Sequence, residues 1–512
     1  MLYFFPFRLL VLHFKRNHFL LFFWILLFGY TLNFFATRYG VSYQFLYPEY
    51  QGVNDFIAFA ITGFALGGFI LAFNLYTYIL HGFRFPFIVT LNRPFVKFSI
   101  NNFIIPVAYV VVYVSASVRF QREEELLSFS EISGNIAGFL SGMFIFLILS
   151  LLYFTVTNKN ILHYEPSHKS KKRRNFFRRG PKIPEPEEME QEAPVQTNFH
   201  KRTSWFEREK RSAEWHVETY LVNVAKIGLA RKSGHYDRSL LEKVFAQNHV
   251  NASLFEIALV MSFILIGSLG DNPFFVIPAA ASVILLFTML LMLTSAFFSW
   301  IKGWTLTVFI VVFSLLNFFF SDIPFLNVEN HAYGLNYDGE KALYTKEVIA
   351  KINAADSLAK ADFLHTIEIL DKWRKKNQRS TNKKPKLVII NTSGGGSRAA
   401  LWTISSLMKA DSLSNGQLFN HAALISGSSG GMIGAAYYRE LALQHKLGII
   451  DTLYDQAFCD DMGKDMLNPV IFSMATNDLF IRYQQIEDGD QSYTKDRAYA
   501  FEKQLNVNTN HV

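Results

Sequence analysis

Two serine- and glycine-rich turns carry the residues of this chain best suited to covalent chemistry. Ser393-Gly394-Gly395-Gly396-Ser397-Arg398 follows the apolar run Leu387 to Ile390, and Gly427-Ser428-Ser429-Gly430-Gly431 follows Ala422 to Ile425. Both runs read as short buried strands. Each turn leads into a helical pattern, Ala399 to Lys409 and Met432 to Leu443. The second turn has the form G-x-S-x-G in a strand–turn–helix context, the setting of a nucleophile elbow. The small residues Gly427 and Gly431 allow a sharp turn that projects the Ser429 hydroxyl. In the first turn, Gly394, Gly395 and Gly396 leave backbone N–H groups unobstructed at the start of a helix, an arrangement that favours an anion. A tetrahedral oxyanion needs such donors, and the N–H of Gly430 would add one. Nucleotide-type phosphate binding is the rival for such a turn, but neither G-x-x-x-x-G-K-[ST] nor G-x-G-x-x-G spacing is present.

The pair SGGGSRA and GSSGG resembles the patatin-like and cytosolic phospholipase A2 superfamily of serine lipid acyl hydrolases, with its patterns [DS]-G-G-G-x-R-[GA] and G-x-S-[GT]-[GS]. The resemblance covers Lys386 to Glu440 closely and extends loosely to Asp496-Arg497-Ala498-Tyr499-Ala500-Phe501-Glu502. It leaves the chain before Lys386 uncovered. It implies the N-terminal part of an α/β three-layer domain over residues 386–512, incomplete at the C-terminus, that needs no metal or cofactor. Gly394, Gly395 and Gly396 would be its oxyanion loop and Ser429 its nucleophile. Arg398 would meet a lipid phosphate, with a structural cap or ion pair as the alternative. Ser393 stands where patatins carry aspartate.

The resemblance also implies a Ser-Asp dyad, with the aspartate in a downstream D-G-[GA] motif. Here the chain departs from the pattern. The only Asp-Gly after Ser429 is Asp488-Gly489-Asp490, which breaks the motif at its third position and precedes the Asp496 to Glu502 segment. Asp488 is one candidate base, an aspartate beyond Val512 is another, and an inactive relative is the third reading. A Ser-His-Asp triad would need a histidine. Of those after Ser429, His445 reads onto a helix surface and His511 is penultimate, which favours the dyad; His421 reads as structural.

The elements that must position these turns are preceded by a chain that reads as membrane. Half of the 512 residues are hydrophobic, 16% are aromatic and 52 are Phe, and about 20 apolar residues suffice to cross a bilayer core. Seven spans are expected, at 19–36, 56–80, 103–118 and 136–156 within a first membrane segment 1–157, and at 254–269, 274–298 and 304–320 within a second, 252–320. The third contains Pro106. Arg8, Lys15, Arg16 and His18 lie before or at the start of the first span without a small-residue cleavage site behind it, which reads as a retained anchor rather than a signal peptide. Gly63 and Gly67, and Gly134, Gly138 and Gly142, have the four-residue spacing that lets helices approach closely in lipid.

Residues 158–251 read as a basic cytoplasmic loop. Its run of Lys169, Lys171, Lys172, Arg173, Arg174, Arg178 and Arg179 suits anionic headgroups, and the following PEPEEMEQEAP reads as a linker. Trp205 to Leu229 reads as an amphipathic helix on the membrane or a partner, or as a solvated helix. Residues 321–385 form a linker with one or two helices between Val348 and Lys376. Lys15 and Arg16, then Arg84, Arg93 and Lys97, then the polybasic run and Lys302 all fall on one side of a seven-span chain. By the positive-inside rule that side, with the N-terminus, is cytoplasmic. This describes an integral protein of a plasma membrane or bacterial inner membrane; six spans instead of seven would reverse the side of the segment after Phe320.

The net charge of +8 gathers beside apolar segments and no nucleic-acid motif accompanies it, so nucleic acid is not the expected partner. Cys459, the single cysteine, excludes an intrachain disulfide and a cysteine metal cluster. The expected function is hydrolysis of phospholipid or related acyl esters. The alternatives are an inactive membrane scaffold and another serine hydrolase or intramembrane protease. Against the protease, Ser429 lies far beyond the last span. The spans hold few ionisable groups, with Glu256 near an end.

Overall fold

The computed structural model describes residues 3–37, 40–161, 215–231, 233, 236–301, 342–378, 384–478, 484–489 and 491–511, with scattered positions between 307 and 340. The expected span 304–320, the basic run from Lys169 to Arg179 and the linker behind it lie outside these residues, apart from scattered positions in the span. The chain divides into two compact units, Met1–Leu269 with Ile277–Phe318, and Gly270–Val276 with Phe319–Val512.

In the first unit, α1 (Phe5–Arg16) and α2 (His18–Thr31) are followed by α3 (Val41–Leu46), α4 (Phe56–His81), α5 (Pro94–Asn101), α6 (Ile104–Glu123) and α7 (Phe129–Thr157). A hairpin of β1 (Thr219–Asn223) and β2 (Lys226–Leu229) precedes α8 (Arg238–Gly267) and α9 (Ala279–Ile301). Among the described residues five helices are long and apolar enough to cross a membrane: α4, α6, α7, α8 and α9. The bent pair α1–α2 would make a sixth.

The expected straight span 19–36 is corrected. The helix runs from His18 to Thr31 and meets α1 at 98°. Fourteen residues rise about 21 Å, short of the roughly 30 Å hydrocarbon core. The break falls at Asn17, whose buried side chain is held away from helical geometry by two histidines. Arg84 Nε donates to His81 Nδ1 at 3.4 Å, and His81 Nε2 donates to Asn17 Oδ1. Asn17 Nδ2 donates to His13 Nδ1 at 3.0 Å, His13 Nε2 to Asn102 Oδ1 at 2.7 Å, and Asn102 Nδ2 to Asn74 Oδ1 at 3.0 Å. Arg84 can only donate, so the chain is consistent in this one direction, with both imidazoles donating from Nε2.

Other boundaries move for local reasons. Pro106 lies in the first turn of α6, where its missing N–H removes no helical bond, so the helix runs unbroken to Glu123. A capping box of Ser128 and Glu131 starts α7. Asp237 caps α8 through the Ser239 N–H, so residues 238–251, expected in the loop, are helical. Glu256 is therefore well inside a helix, fully buried, and accepts from Ser295 Oγ at 2.5 Å. Pro273 and Pro278 delay α9 to Ala279. The amphipathic helix expected over Trp205 to Leu229 is corrected where it is described: residues 219–229 form the β1–β2 hairpin. Asn101 holds it from outside, its side chain donating to the Leu221 carbonyl and accepting from the Leu221 N–H.

Helix α4 is buried along most of its length and packs mainly on α7 and α9. A Cβ on Gly63 would overlap the Phe139 carbonyl, and one on Gly67 would lie 2.8 Å from Met143 O. On the facing helix, a Cβ on Gly138 or Gly142 would overlap the Phe56 or Ala60 carbonyl, whereas one on Gly134 would meet open space. Four of the five stripe glycines thus permit the backbone approach of α4 and α7.

The second unit holds α10 (Lys346–Asn353), α11 (Asp356–Asn377), β3 (Val388–Thr392), α12 (Gly396–Leu413), α13 (Gln417–His421), β4 (Ala422–Gly427) and α14 (Ser429–Leu447). After these come α15 (Ala457–Gly463), α16 (Leu467–Ser473), β5 (Gln485–Asp488), β6 (Gln491–Thr494) and α17 (Arg497–Asn508). Strands β3 and β4 pair in parallel, Ile389 opposite Leu424 and Thr392 opposite Gly427. Among the described residues this parallel sheet has two strands, set in one βαβα segment, and the expected three-layer architecture is not seen among them. Ile390 and Ile425 face a core of Ala400, Ile404, Leu407, Ala435, Tyr438 and Leu441, while Ile389 and Leu424 remain exposed.

Asp411 anchors this core. It is 1% exposed. Its carboxylate accepts from Tyr438 Oη at 2.9 Å, Tyr454 Oη at 3.0 Å and the Phe419 N–H at 2.9 Å. A buried carboxylate is tolerated when its lone pairs are met in this way.

Candidate active site

The two strands deliver the two turns to the same end of the sheet. Thr392 at the end of β3 lies opposite Gly427 at the end of β4, and each strand is followed within a few residues by a helix. Each helix begins at its turn, α12 at Gly396 and α14 at Ser429. The first amides of a helix have no intrahelical acceptor, so two sets of N–H groups outside the helical ladders start side by side. Both helix dipoles add partial positive charge there.

Close backbone approach holds the turns together. A Cβ on Gly430 would overlap the Gly396 carbonyl, one on Gly431 the Ser393 carbonyl, and one on Gly434 the Ala400 carbonyl. At the front, a Cβ on Gly394 would lie 3.2 Å from Ser429 Cβ and 3.3 Å from Ser428 Oγ. Gly394 is therefore directly beside the serine, while Gly395 and Gly396 hold φ of +154° and +64°, conformations that favour glycine. At the base, Ser426 Oγ donates to Asn391 Oδ1 at 2.9 Å across the strands.

Ser429 itself has φ +49°. A non-glycine residue in the left-handed region costs about 1–2 kcal/mol, and such strain clusters at functional sites. Ser428 before it is extended, so the chain reverses sharply at Ser429. The side chains of Ser428 and Ser429 are exposed, while Gly430 and Gly431 are buried beneath them.

Arg398 is exposed on the first turn of α12. Asp488 ends β5, where its backbone pairs with Gln491 in a hairpin. Among the described residues no hydrogen bond links Asp488, or any other carboxylate or imidazole, to Ser429. His421 ends α13, where Nδ1 bonds the Gln417 carbonyl and its own carbonyl accepts from Trp373 Nε1. His445 lies in the last turn of α14. Among the described residues no cluster of three or more His, Cys, Asp or Glu is arranged to hold a metal. Cys459 is buried in the core and accepts from Ser405 Oγ at 3.3 Å.

Sequence reasoning missed Gly434, which belongs to the site's support although it lies a full turn inside α14. Its signal was the spacing Gly430, Gly431, Gly434 on one helix face. No protein-family model, curated protein or solved structure matches the chain.

Proposed function

We propose that the chain is a membrane-anchored serine acyl hydrolase acting on phospholipid or a related lipid acyl ester. The observation that carries this reading is Ser429, held at φ +49° between a parallel strand and a helix, with Gly394 against its side chain. In this reading the Ser429 oxygen attacks the ester carbonyl, and the oxyanion is met by amides of Gly394, Gly395, Gly396 and Gly430. The serine proton passes to a general base and from it to the departing alcohol, leaving an acyl-enzyme that water cleaves. The base is the aspartate of the dyad, with Asp488 as one candidate. In this reading Arg398 would meet the substrate phosphate, and the apolar helices of the chain would tether the enzyme to a membrane.

A second reading, an inactive hydrolase-like scaffold, is favoured by the lack, among the described residues, of a hydrogen bond between Ser429 and a base. A fluorophosphonate probe separates the two on the full-length protein. Labelling that disappears in Ser429→Ala is the expected result. A folded protein that remains unlabelled would establish the scaffold reading instead.

A further inference from the structure

In the first unit, a cavity of about 490 Å³ lies between the segment after α4 and the β1–β2 hairpin. Its lining includes Arg84, Phe87, Trp215, His216, Glu218 and Arg231. Phe85, Phe87 and Trp215 are buried and make an aromatic wall. Arg84 stands over the Trp215 ring, its Cζ 5.7 Å from the centroid, and donates from Nε to His81, which fixes the guanidinium at the cavity edge. Arg231, also of the lining, is exposed. Among the described residues of the lining Glu218 is the acidic one, and its carboxylate lies 3.7 Å from His216 Nε2. Nearby, Arg8 stacks over the Tyr3 ring at 4.8 Å, and that ring meets His216 edge-on at 5.4 Å. The Trp215 Nε1–H is buried without an acceptor among the described residues, so its dipole adds positive character there.

We infer that this cavity is a binding site for a phosphate ester, the headgroup of an anionic phospholipid. Two guanidiniums in the lining suit phosphate oxygens, for which their planar donor forks are shaped. The aromatic wall suits the glycerol and upper acyl carbons, which free phosphate lacks. Arg84 follows directly on a membrane-spanning helix, and so sits at the depth of the headgroups. The short-loop charges make that end of α4 the cytoplasmic one, where anionic lipid gathers. The site is independent of Ser429 and of the hydrolase reading.

The test uses the full chain in nanodiscs of mixed phosphatidylglycerol and phosphatidylcholine, with lipid retention read by native mass spectrometry. Preferential retention of phosphatidylglycerol is expected. The Arg84→Gln/Arg231→Gln variant should lose roughly tenfold or more of that preference, the scale of one or two charge-assisted contacts. Because Arg84 also bonds His81, Arg231→Gln alone guards against a folding defect and should lose part of the preference. Arg93→Gln, a basic residue outside the lining, should leave it intact. Displacement of the retained lipid by inorganic phosphate would show that phosphate alone supplies the recognised chemistry; failure to displace it would assign recognition to the whole headgroup. Equal retention of the two lipids, or equal losses in the Arg93 and Arg231 variants, would overturn the inference.

Discussion

Gly430 packs its α-carbon against the carbonyl of Gly396, so the start of one helix rests on the start of another. A methyl group cannot enter without separating the two turns. Gly430→Ala should therefore destabilise the second unit by about 1–3 kcal/mol, the usual range for overpacking, and should remove fluorophosphonate labelling even with Ser429 present. Urea unfolding followed by tryptophan fluorescence, paired with probe labelling, checks both effects. A variant of unchanged stability and labelling would mean the turns do not touch.

Ser429 stores backbone strain at φ +49°, and replacements there separate strain from chemistry. Alanine removes the hydroxyl and keeps a Cβ in the left-handed region, whereas glycine removes both. Ser429→Gly should be more stable than Ser429→Ala by about 1 kcal/mol, the cost of the left-handed conformation less part of the entropy that glycine adds to the unfolded chain. Neither variant should label. Greater stability for alanine would show that Ser429 is not strained.

The two turns that the structure brings together were legible in the sequence because their constraints are local. G-x-S-x-G and a second glycine turn, each behind a short apolar run, need only neighbouring residues to be recognised. The ends of the long apolar helices were less legible because hydropathy marks only their apolar part. Helix α8 begins at Arg238, well before its apolar stretch, because Asp237 caps it and its polar turns are still helical. The β1–β2 hairpin was misread for a different reason. Its apolar residues fit either period in so short a window, and Asn101, which clamps Leu221, comes from a distant part of the chain. The general base was not legible in the sequence, and no described carboxylate is hydrogen-bonded to Ser429.

Asp411 depends on its donors. Tyr438→Phe keeps the ring in the core but removes one hydrogen bond to a buried carboxylate. It should cost about 1–3 kcal/mol, the penalty for leaving such a group short of a partner. Tyr454→Phe should cost less, since Tyr454 is 41% exposed and water can replace its hydroxyl. Denaturation midpoints of the two variants give the comparison, and the reverse order would contradict the network.

The same tyrosines predict how the second unit responds to alkali. Burial, then the Asp411 hydrogen bond and its charge, hold the Tyr438 phenol well above its ordinary value. Burial likewise pushes Tyr437 up to about 12. A folded-state value above the unfolded one gives stability that is fully present below the unfolded value and is lost as pH rises toward the folded one. Stability should hold to about pH 9 and fall as the unfolded phenols ionise near pH 10. Tyr438→Phe should lower the starting stability and flatten that fall. A slope identical to the wild type would remove Tyr438 as its source.

The glycine stripe of α7 gives an internal control for packing in the first unit. A Cβ on Gly142 would overlap the Ala60 carbonyl of α4, while one on Gly134 would meet open space, although the two glycines repeat at the same spacing. In lipid the apolar environment does not itself drive helices together, so lost backbone approach has no hydrophobic compensation. Gly142→Ala should therefore destabilise the α4–α7 pair by about 1–3 kcal/mol. Gly134→Ala meets no neighbour and should be neutral or stabilising by up to about 1 kcal/mol, from the better helix propensity of alanine. Titration of the detergent-solubilised protein with dodecyl sulfate, followed by tryptophan fluorescence, ranks the two. Equal effects would mean that the four-residue spacing, rather than the facing carbonyl, sets the cost.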